Sequence, residues 1–424
     1  MRFLYNLLTY LLLIPFAGYW LVRGIGNRTY SENLGQRFGF GFPKIDRCIW
    51  VHAVSVGEVQ ASAPMIRALK ERFPDRELLI TTVTPTGAAR VRSLFGDTVQ
   101  HSYIPFEFPH AIRSFFRTVN PEAALIMETE IWPNLYRGCG TRKIPLILVS
   151  ARISPRSVPG YRKLLPLIRE TLSHGIIIAA QSQPDADRFL ALGANAARTC
   201  VMGNIKFDIE PDAAVFAKGR AIRDELFGDR PVWIAASTHE GEEQLVLEVH
   251  RELCARHPEL LLVLVPRHPE RFPSVRELIE KQGFSLVSRT AQQPAGDASV
   301  FLCDTMGEVP MFYAASDVAF VAGSLVPIGG HNLLEPAMLG VPIVTGPHNF
   351  NAQDIADLFV ERGACRRVTG TEDLVTTVSE LLTDRELAAR LGNAGRSVLE
   401  ENRGALERLL VLLEPLLISD RQPT

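Results

Sequence analysis

The residues of this 424-residue chain best suited to chemistry stand where apolar runs give way to glycine, serine and threonine. In HAVSVGEVQ, Glu58 follows Ser55, Val56 and Gly57 and opens an amphipathic stretch. A carboxylate there can take a proton from a hydroxyl, or it can simply cap the helix. The positive end of a helix is expected to lower its pKa, favouring a base over an acid. In METEIW, Glu128 and Glu130 share one face if the chain is extended. They can hold an acceptor or brace the loop, and their spacing does not establish the flanking pair of a glycosidase. Arg152 and Arg156 in SARISPRS suit a clamp on a carboxylate or phosphate, or a solvated pair. Lys206 in GNIKFD lies at an expected domain junction, placed either to reach an anion across a cleft or to sit in solvent.

The later half carries a different set. In FVAGSLVPIGGHNLLEPA, an apolar run stops at Gly323, Gly329 and Gly330 allow a tight turn, and a helix is expected from about His331 with Glu335 in its second turn. Its free N–H groups would attract phosphate or carboxylate, and Glu335 would accept from ribose hydroxyls. The stretch reads as a nucleotide-sugar site, another anion site, or a structural turn. It is neither GxxxxGK[ST] nor GxGxxG. Ser237 or Thr238 in STHEGEE is expected to cap a helix, Arg267 and His268 in PRHPER to meet an anion, and DTMGEVP, with Gly307 and Glu308, to form one more turn at a strand end. Caps and turns explain each loop singly, whereas their repetition favours a shared ligand. His239, His268, His331 and His348 lack HExxH and HxH spacing and follow separate strands, so no metal site is expected, and no DxD is present.

The elements that must position these residues read as α/β. Apolar runs such as IWVHAVS, ELLITTVT and AALIME alternate with helical stretches, then restart at PVWIAAST, the pattern of parallel sheets covered on both faces. Two doubly wound, Rossmann-like domains are expected to face an interdomain cleft: 23–208, a linker at 209–229, and 230–424, whose last helices pack partly back on the first. Forty-five basic against forty-seven acidic side chains give a net charge of -2, which argues against a nucleic-acid partner. Six scattered cysteines without CxxC fit a reducing compartment. Phe3 to Val22 carries no charge over twenty residues. At about 1.5 Å per residue that suffices to span a bilayer core, and an in-plane helix is the alternative. Residues 1–22 are thus expected to be a membrane anchor. The flank of Arg23, Arg28, Arg37 and Lys44 is expected to keep the body cytoplasmic and to rest on anionic headgroups.

Taken together in order, HAVSVGE, METEIWPN, SARIS, GNIKFD, AASTHEGEE, PRHPER, MGEVP and GSLVPIGGHNLLEPA closely resemble the 3-deoxy-D-manno-octulosonic acid (Kdo) transferases of lipopolysaccharide synthesis. The resemblance covers nearly the whole chain. It implies a GT-B glycosyltransferase, inverting and independent of metals or other cofactors, that moves Kdo from CMP-β-Kdo to a tetra-acylated lipid A precursor at the cytoplasmic face of the inner membrane. Glu58 matches the family's general base. Ser237, Thr238, Arg267, His268, Gly307, Glu308, Asn332 and Glu335 match motifs that supply much of its CMP-Kdo site. A nucleotide-sugar epimerase of similar architecture and a membrane-attached nucleotide-binding scaffold are the alternatives.

Overall fold

Strands made almost entirely of valine, isoleucine, leucine and alanine need cover on both faces, and here they build two parallel sheets. The computed structural model describes residues 1–26, 28–209 and 213–418, without the side chains of Arg28 and Ile418. The headgroup role expected of the Arg28 side chain therefore lies outside the described residues. The first unit comprises Met1–Asp208 and the stretch from Asn402. Its strands are β1 (Ile45–His52), β2 (Glu77–Thr82), β3 (Gln100–Tyr103), β4 (Val119–Met127), β5 (Leu146–Ala151), β6 (Ile177–Ala180) and β7 (Thr199–Val201). They lie in the order β3-β2-β1-β4-β5-β6-β7. The second unit, Ile209–Glu401, holds β8 (Val232–Thr238), β9 (Leu261–Pro266), β10 (Leu286–Ser288), β11 (Val300–Leu302), β12 (Val318–Val321), β13 (Ile343–Thr345) and β14 (Cys365–Arg367). Their order is β10-β11-β9-β8-β12-β13-β14. The winding reverses between β1 and β4 and between β8 and β12, and in open parallel sheets ligands bind beyond the carboxyl ends at such points.

Helices seal both faces of each sheet. Val56–Arg72 buries an apolar stripe of Val59, Met65, Ile66 and Leu69. Helix Ala405–Ile418 belongs to the first unit, where Leu409, Leu413 and Leu417 join Leu125 and Ile147 in one core cluster. Its start is held by Asp208, which accepts from Gly404 N–H at 2.5 Å and Leu406 N–H at 2.7 Å, while Arg408 donates twice to the Met202 carbonyl. The second unit accordingly ends at Glu401. The region read as a linker carries helix Ala213–Ile222 within the second unit, close enough to helix Val309–Ala314 that a Cβ on Gly219 would lie 2.4 Å from Ala314 Cβ.

The amino-terminal segment is two helices, Arg2–Leu11 and Leu13–Gly26, bent by 43°. Pro15 explains the break, because it lacks the N–H that would bond the Leu11 carbonyl and its ring crowds that group. Among the described residues no single helix is long and apolar enough to cross a membrane; the bent pair passes by length and composition together. Both helices pack on the first unit. Arg2 pairs with Glu170 at 2.5 Å, Tyr5 donates to Glu107 at 3.0 Å, Asn6 accepts from Asn134 at 2.9 Å, and Trp20 is buried against Phe106. The opposite face is bare and apolar, with Phe3 82%, Ile14 81% and Ile25 86% exposed. Arg37 departs from expectation. It is wholly buried, its guanidinium 4.2 Å from the Trp20 ring and 4.1 Å from that of Tyr103, donating to the Val83 carbonyl at 2.6 Å. It cannot rest on headgroups, whereas Arg23 and Lys44 remain exposed.

Asp208→Ala leaves the amino end of helix Ala405–Ile418 without its acceptor. Stability should fall by about 1–2 kcal/mol, as for loss of a helix cap. An unchanged urea midpoint for the first unit would show that the leucine contacts alone hold the helix.

Candidate functional site

Because β1 and β4 pair at the reversal of the first sheet, the chain leaving each arrives at one place. Helix Val56–Arg72 starts there under a reciprocal cap. Ser55 Oγ accepts from Glu58 N–H at 3.5 Å, and the Glu58 carboxylate accepts from Val54 N–H at 2.9 Å and Ser55 Oγ–H at 3.3 Å. Burial pushes Glu58 up to about 7, against the Val54 hydrogen bond and with the charges of Glu128 and Glu130 adding to the rise. The lowered pKa expected at a helix start is thus reversed, because desolvation outweighs the dipole. The capping reading is the one this geometry realises.

Glu128 and Glu130 occupy different environments. Glu128 has a left-handed backbone, φ 56°, and accepts from Lys206 Nζ at 2.6 Å and Arg152 Nε at 3.2 Å. Burial opposes its ionisation, but Lys206 and Arg152 outweigh burial and hold it below the usual range. Glu130 accepts from Trp132 Nε1 at 2.6 Å, and burial, assisted by the charge of Glu128, pushes its pKa up. The two neighbouring carboxyls are thus shifted in opposite directions. Lys206, expected to reach an anion across a cleft, is committed to Glu128 inside the first unit. Arg152 joins this group. Arg156 is exposed and forms no ion pair among the described residues.

In the second unit the carboxyl ends of β8, β9 and β12 collect the other set. Ser237 has φ 64° at a bulge where the β8–β9 register slips. Thr238 is buried in the strand, and its carbonyl accepts from Arg267 N–H at 3.0 Å. Neither caps the next helix, Glu242–Arg256, whose cap is Gly241 at φ 84°. Two residues between the strand and that glycine separate them from the helix start. The Arg267 side chain is half-buried and without an ion pair among the described residues, and His268 is exposed. His239 stacks edge-on to His268, centroids 5.4 Å apart, and its Nε2 lies 2.8 Å from Nε2 of His331. Three histidines expected to stand apart therefore meet, because their strands are neighbours. Among the described residues no group of three His, Cys, Asp or Glu is arranged to hold a metal ion.

The glycine stretch differs most from its sequence reading. The N–H groups of Gly323, Ser324 and Leu325, at the start of the stretch, donate to the buried carboxyl of Glu242 at 2.7, 3.0 and 3.0 Å, so an internal side chain takes up these donors. Gly329 and Gly330 N–H both donate to the Gly323 carbonyl. Both positions require glycine: φ is 111° and 74°, and a Cβ would lie 2.5 Å from Asn351 or Asn349. The helix starts later than expected, at Leu334–Leu339, with Glu335 in its first turn and Asn332 Oδ1 accepting from Leu334 N–H at 3.1 Å. Asn332 also donates to Glu335 at 3.1 Å. Burial raises the Glu335 pKa, opposed by Asn332 and Arg267.

Gly307 turns at φ 84°, and Glu308 belongs to a second group. Arg289 grips it at 2.9–3.2 Å and Thr305 donates to it, along a cavity of about 360 Å³ that Lys218, Glu225 and Met311 also line. Burial works against its ionisation, yet these partners hold the Glu308 carboxylate below the usual range. Sequence reasoning missed Glu242 and the His239–His331 pair. The signal for Glu242 was present as an acidic residue four positions past the end of a buried strand, but GEE also reads as ordinary helix-start charge.

Comparison with known proteins bears on these groups. The family model described as 3-deoxy-D-manno-octulosonic-acid transferase (kdotransferase) matches residues 32–209, and that described as glycosyl transferases group 1 matches 230–398. The chain is 43% identical over 394 residues to the 3-deoxy-D-manno-octulosonic acid transferase of Haemophilus influenzae, covering 92% of each chain. It is 36% identical over 376 residues to that of Bordetella pertussis, covering 86% of each. In fold it is similar to the UDP-GlcNAc 2-epimerase of Neisseria meningitidis, with a TM-score of 0.55, 16% identity, and coverage of 86% of this chain and 100% of that one.

The environment of Glu58 has a direct readout. Its carboxyl carbon should titrate near pH 7 by NMR, and Glu128→Gln, which removes a repelling charge, should move the midpoint down. A midpoint near 4 in the wild-type protein would mean that water reaches the carboxylate freely.

Proposed function

The chain belongs to the 3-deoxy-D-manno-octulosonic acid transferase family, and from that premise we propose that it transfers Kdo from CMP-β-Kdo to the tetra-acylated lipid A precursor with inversion, without a metal or other cofactor. The observation that carries the mechanism is Glu58: a carboxylate at the reversal of the first sheet, buried until its pKa approaches neutrality, with Glu128 beside it held ionised. Glu58 takes the proton of the acceptor hydroxyl as that oxygen bonds the anomeric carbon. The bond to the CMP phosphate breaks, and one displacement turns β into α. Glu128, Glu130, Arg152 and Arg156 are assigned to the acceptor side, with Lys206 acting through Glu128 rather than on the donor. Ser237, Thr238, Arg267, His268, Asn332 and Glu335 are assigned to CMP-Kdo, and Gly307 and Glu308 to the loop held by Arg289. Cationic and backbone donors near the leaving phosphate stabilise charge as it develops.

The acceptor is a lipid, and the amino-terminal helices suit delivery from an anionic membrane at the cytoplasmic face of the inner membrane. Their polar side is spent on Glu107, Asn134 and Glu170 and their apolar side faces outward, which favours lying in the interface over spanning, since a span would strip those contacts.

Incubation with CMP-Kdo and the tetra-acylated precursor should release CMP and add Kdo mass to the lipid; isomerisation of a nucleotide sugar without lipid, or binding without turnover, would overturn the reading. Glu58→Gln should lower kcat about 10²-fold or more. The base works ionised, so kcat/KM should fall as pH drops through about 7, and Glu58→Gln should lack that limb.

Replacing the exposed Leu8, Leu11 and Leu21 with Ser should weaken vesicle association and transfer to vesicle-embedded acceptor, with the fold and CMP binding retained. Full vesicle activity in that variant would place the membrane contact on another surface.

A further inference from the structure

Resting on the reading of the second unit as the donor site, we propose that His239 and His331 form a one-proton clamp for the donor's phosphate: the pair takes a proton from solvent as the anion binds and presents the new N–H to it. The geometry sets this capacity. The two Nε2 atoms lie 2.8 Å apart with ring planes within 3°, so an N–H of one ring meets the lone pair of the other. Two neutral imidazoles hold two protons, one of them between the rings. A third fits on the Nδ1 of the donating ring and turns the contact into a charge-assisted hydrogen bond. A fourth would set two N–H groups face to face. Among the described residues no hydrogen bond occupies either Nδ1.

The surroundings keep the pair neutral until an anion arrives. Facing it are His268 and Arg267 from the chain after β9, Arg271 one turn on, and Glu242 from the helix after β8. Arg271 pairs with Glu243 at 2.5 Å and adds to the positive field at His239, and Glu243 and Glu242, the latter surrounded by main-chain N–H groups, are both raised by burial. Glu335 lies near Arg267 but is itself raised by burial. Arg267 therefore carries uncancelled positive charge. Burial first, then the neighbouring imidazoles and Arg267, hold His331 down to about 4 and His239 below its usual range. A phosphate beside Arg267 cancels that field and supplies an acceptor for the new N–H, so the pair's affinity for a proton rises. By linkage, a ligand whose binding takes up a proton binds more tightly as pH falls.

Calorimetric titration of the full-length protein with CMP, in buffers of differing ionisation enthalpy at pH 6.5 and 7.5, reads the proton count directly. The wild-type protein should take up close to one proton per CMP. His239→Gln and His331→Gln should each lose that uptake and weaken CMP about fivefold at pH 6.5, with much less effect at pH 8.5. Since His331 packs against Gly323, NMR of the histidine ring signals in the wild-type protein provides a second test: at pH 7, CMP should move the His239 and His331 signals toward imidazolium. Uptake that persists in both variants would assign the proton to CMP's own phosphate, and tight binding with no uptake would leave the rings neutral; either result overturns the proposal while leaving the donor site in place. Failure of CMP to bind at any pH removes the donor reading itself.

Discussion

Parallel pairing sends every strand's carboxyl end to the same edge of its sheet, and the polar groups of this protein are arranged around that constraint. The loops leaving β1 and β4, or β8, β9 and β12, arrive side by side with unpaired main-chain groups that must find partners. Much of that demand is met by carboxyl groups from within. Glu58 closes the start of its own helix, and Glu242 takes three N–H groups from the loop after β12. Without the latter carboxyl, the buried donors of Gly323 and Ser324 would be left unpaired, each a cost of about 1–3 kcal/mol, with the half-buried Leu325 N–H beside them. The same contact fixes where the loop runs, and so sets His331 against His239.

Similar carboxylates acquire different chemistry from what surrounds them. Glu58 and Glu130 are raised by burial, while Glu128 and Glu308, also partly desolvated, are carried the other way by Lys206, Arg152 and Arg289. The decisive quantity is the balance between lost hydration and a cation within about 3 Å, since either alone shifts a pKa by units. Lys206 is better understood as the group that keeps Glu128 ionised than as a ligand for phosphate. Glu128 in turn adds to the rise of Glu58, so the cation that holds Glu128 ionised helps set the protonation of Glu58.

Local pattern made the sheets legible. Apolar runs such as IWVHAVS and ELLITTVT located strands, and HAVSVGE the start of the helix at Val56, because burial on both faces leaves little room for polar residues. The short β7 and β14 carried no such run. Partners distant in sequence were illegible. Nothing near Ser237 shows that the next helix waits for Gly241, nothing in AGSL shows that its amides are paired with Glu242, and nothing in HAVSVGE gives the depth of burial that reverses the effect of the helix dipole. The family's ordered motifs supplied function where periodicity could not, since they mark strand ends whose adjacency only the fold reveals.

The amino-terminal segment shows why an apolar run is not by itself an anchor. Its hydropathy was plain, but Pro15 breaks the helix and Arg2, Tyr5 and Asn6 tie it to the body. Glu107, pushed up to about 7 by burial, accepts from Tyr5 and from the N–H groups of Asn134 and Leu135 that open helix Pro133–Thr141. That helix begins three residues after Glu130, so the amino-terminal segment and the helix following Glu130 share one hydrogen-bonded carboxylate. Trp20 meanwhile covers the buried Arg37. Cutting the segment away would strip a ring from a buried guanidinium and a donor from a buried carboxylate. A truncation therefore perturbs the first unit as well as any lipid contact, whereas substitutions confined to the bare leucines leave both buried groups covered and isolate the membrane contribution.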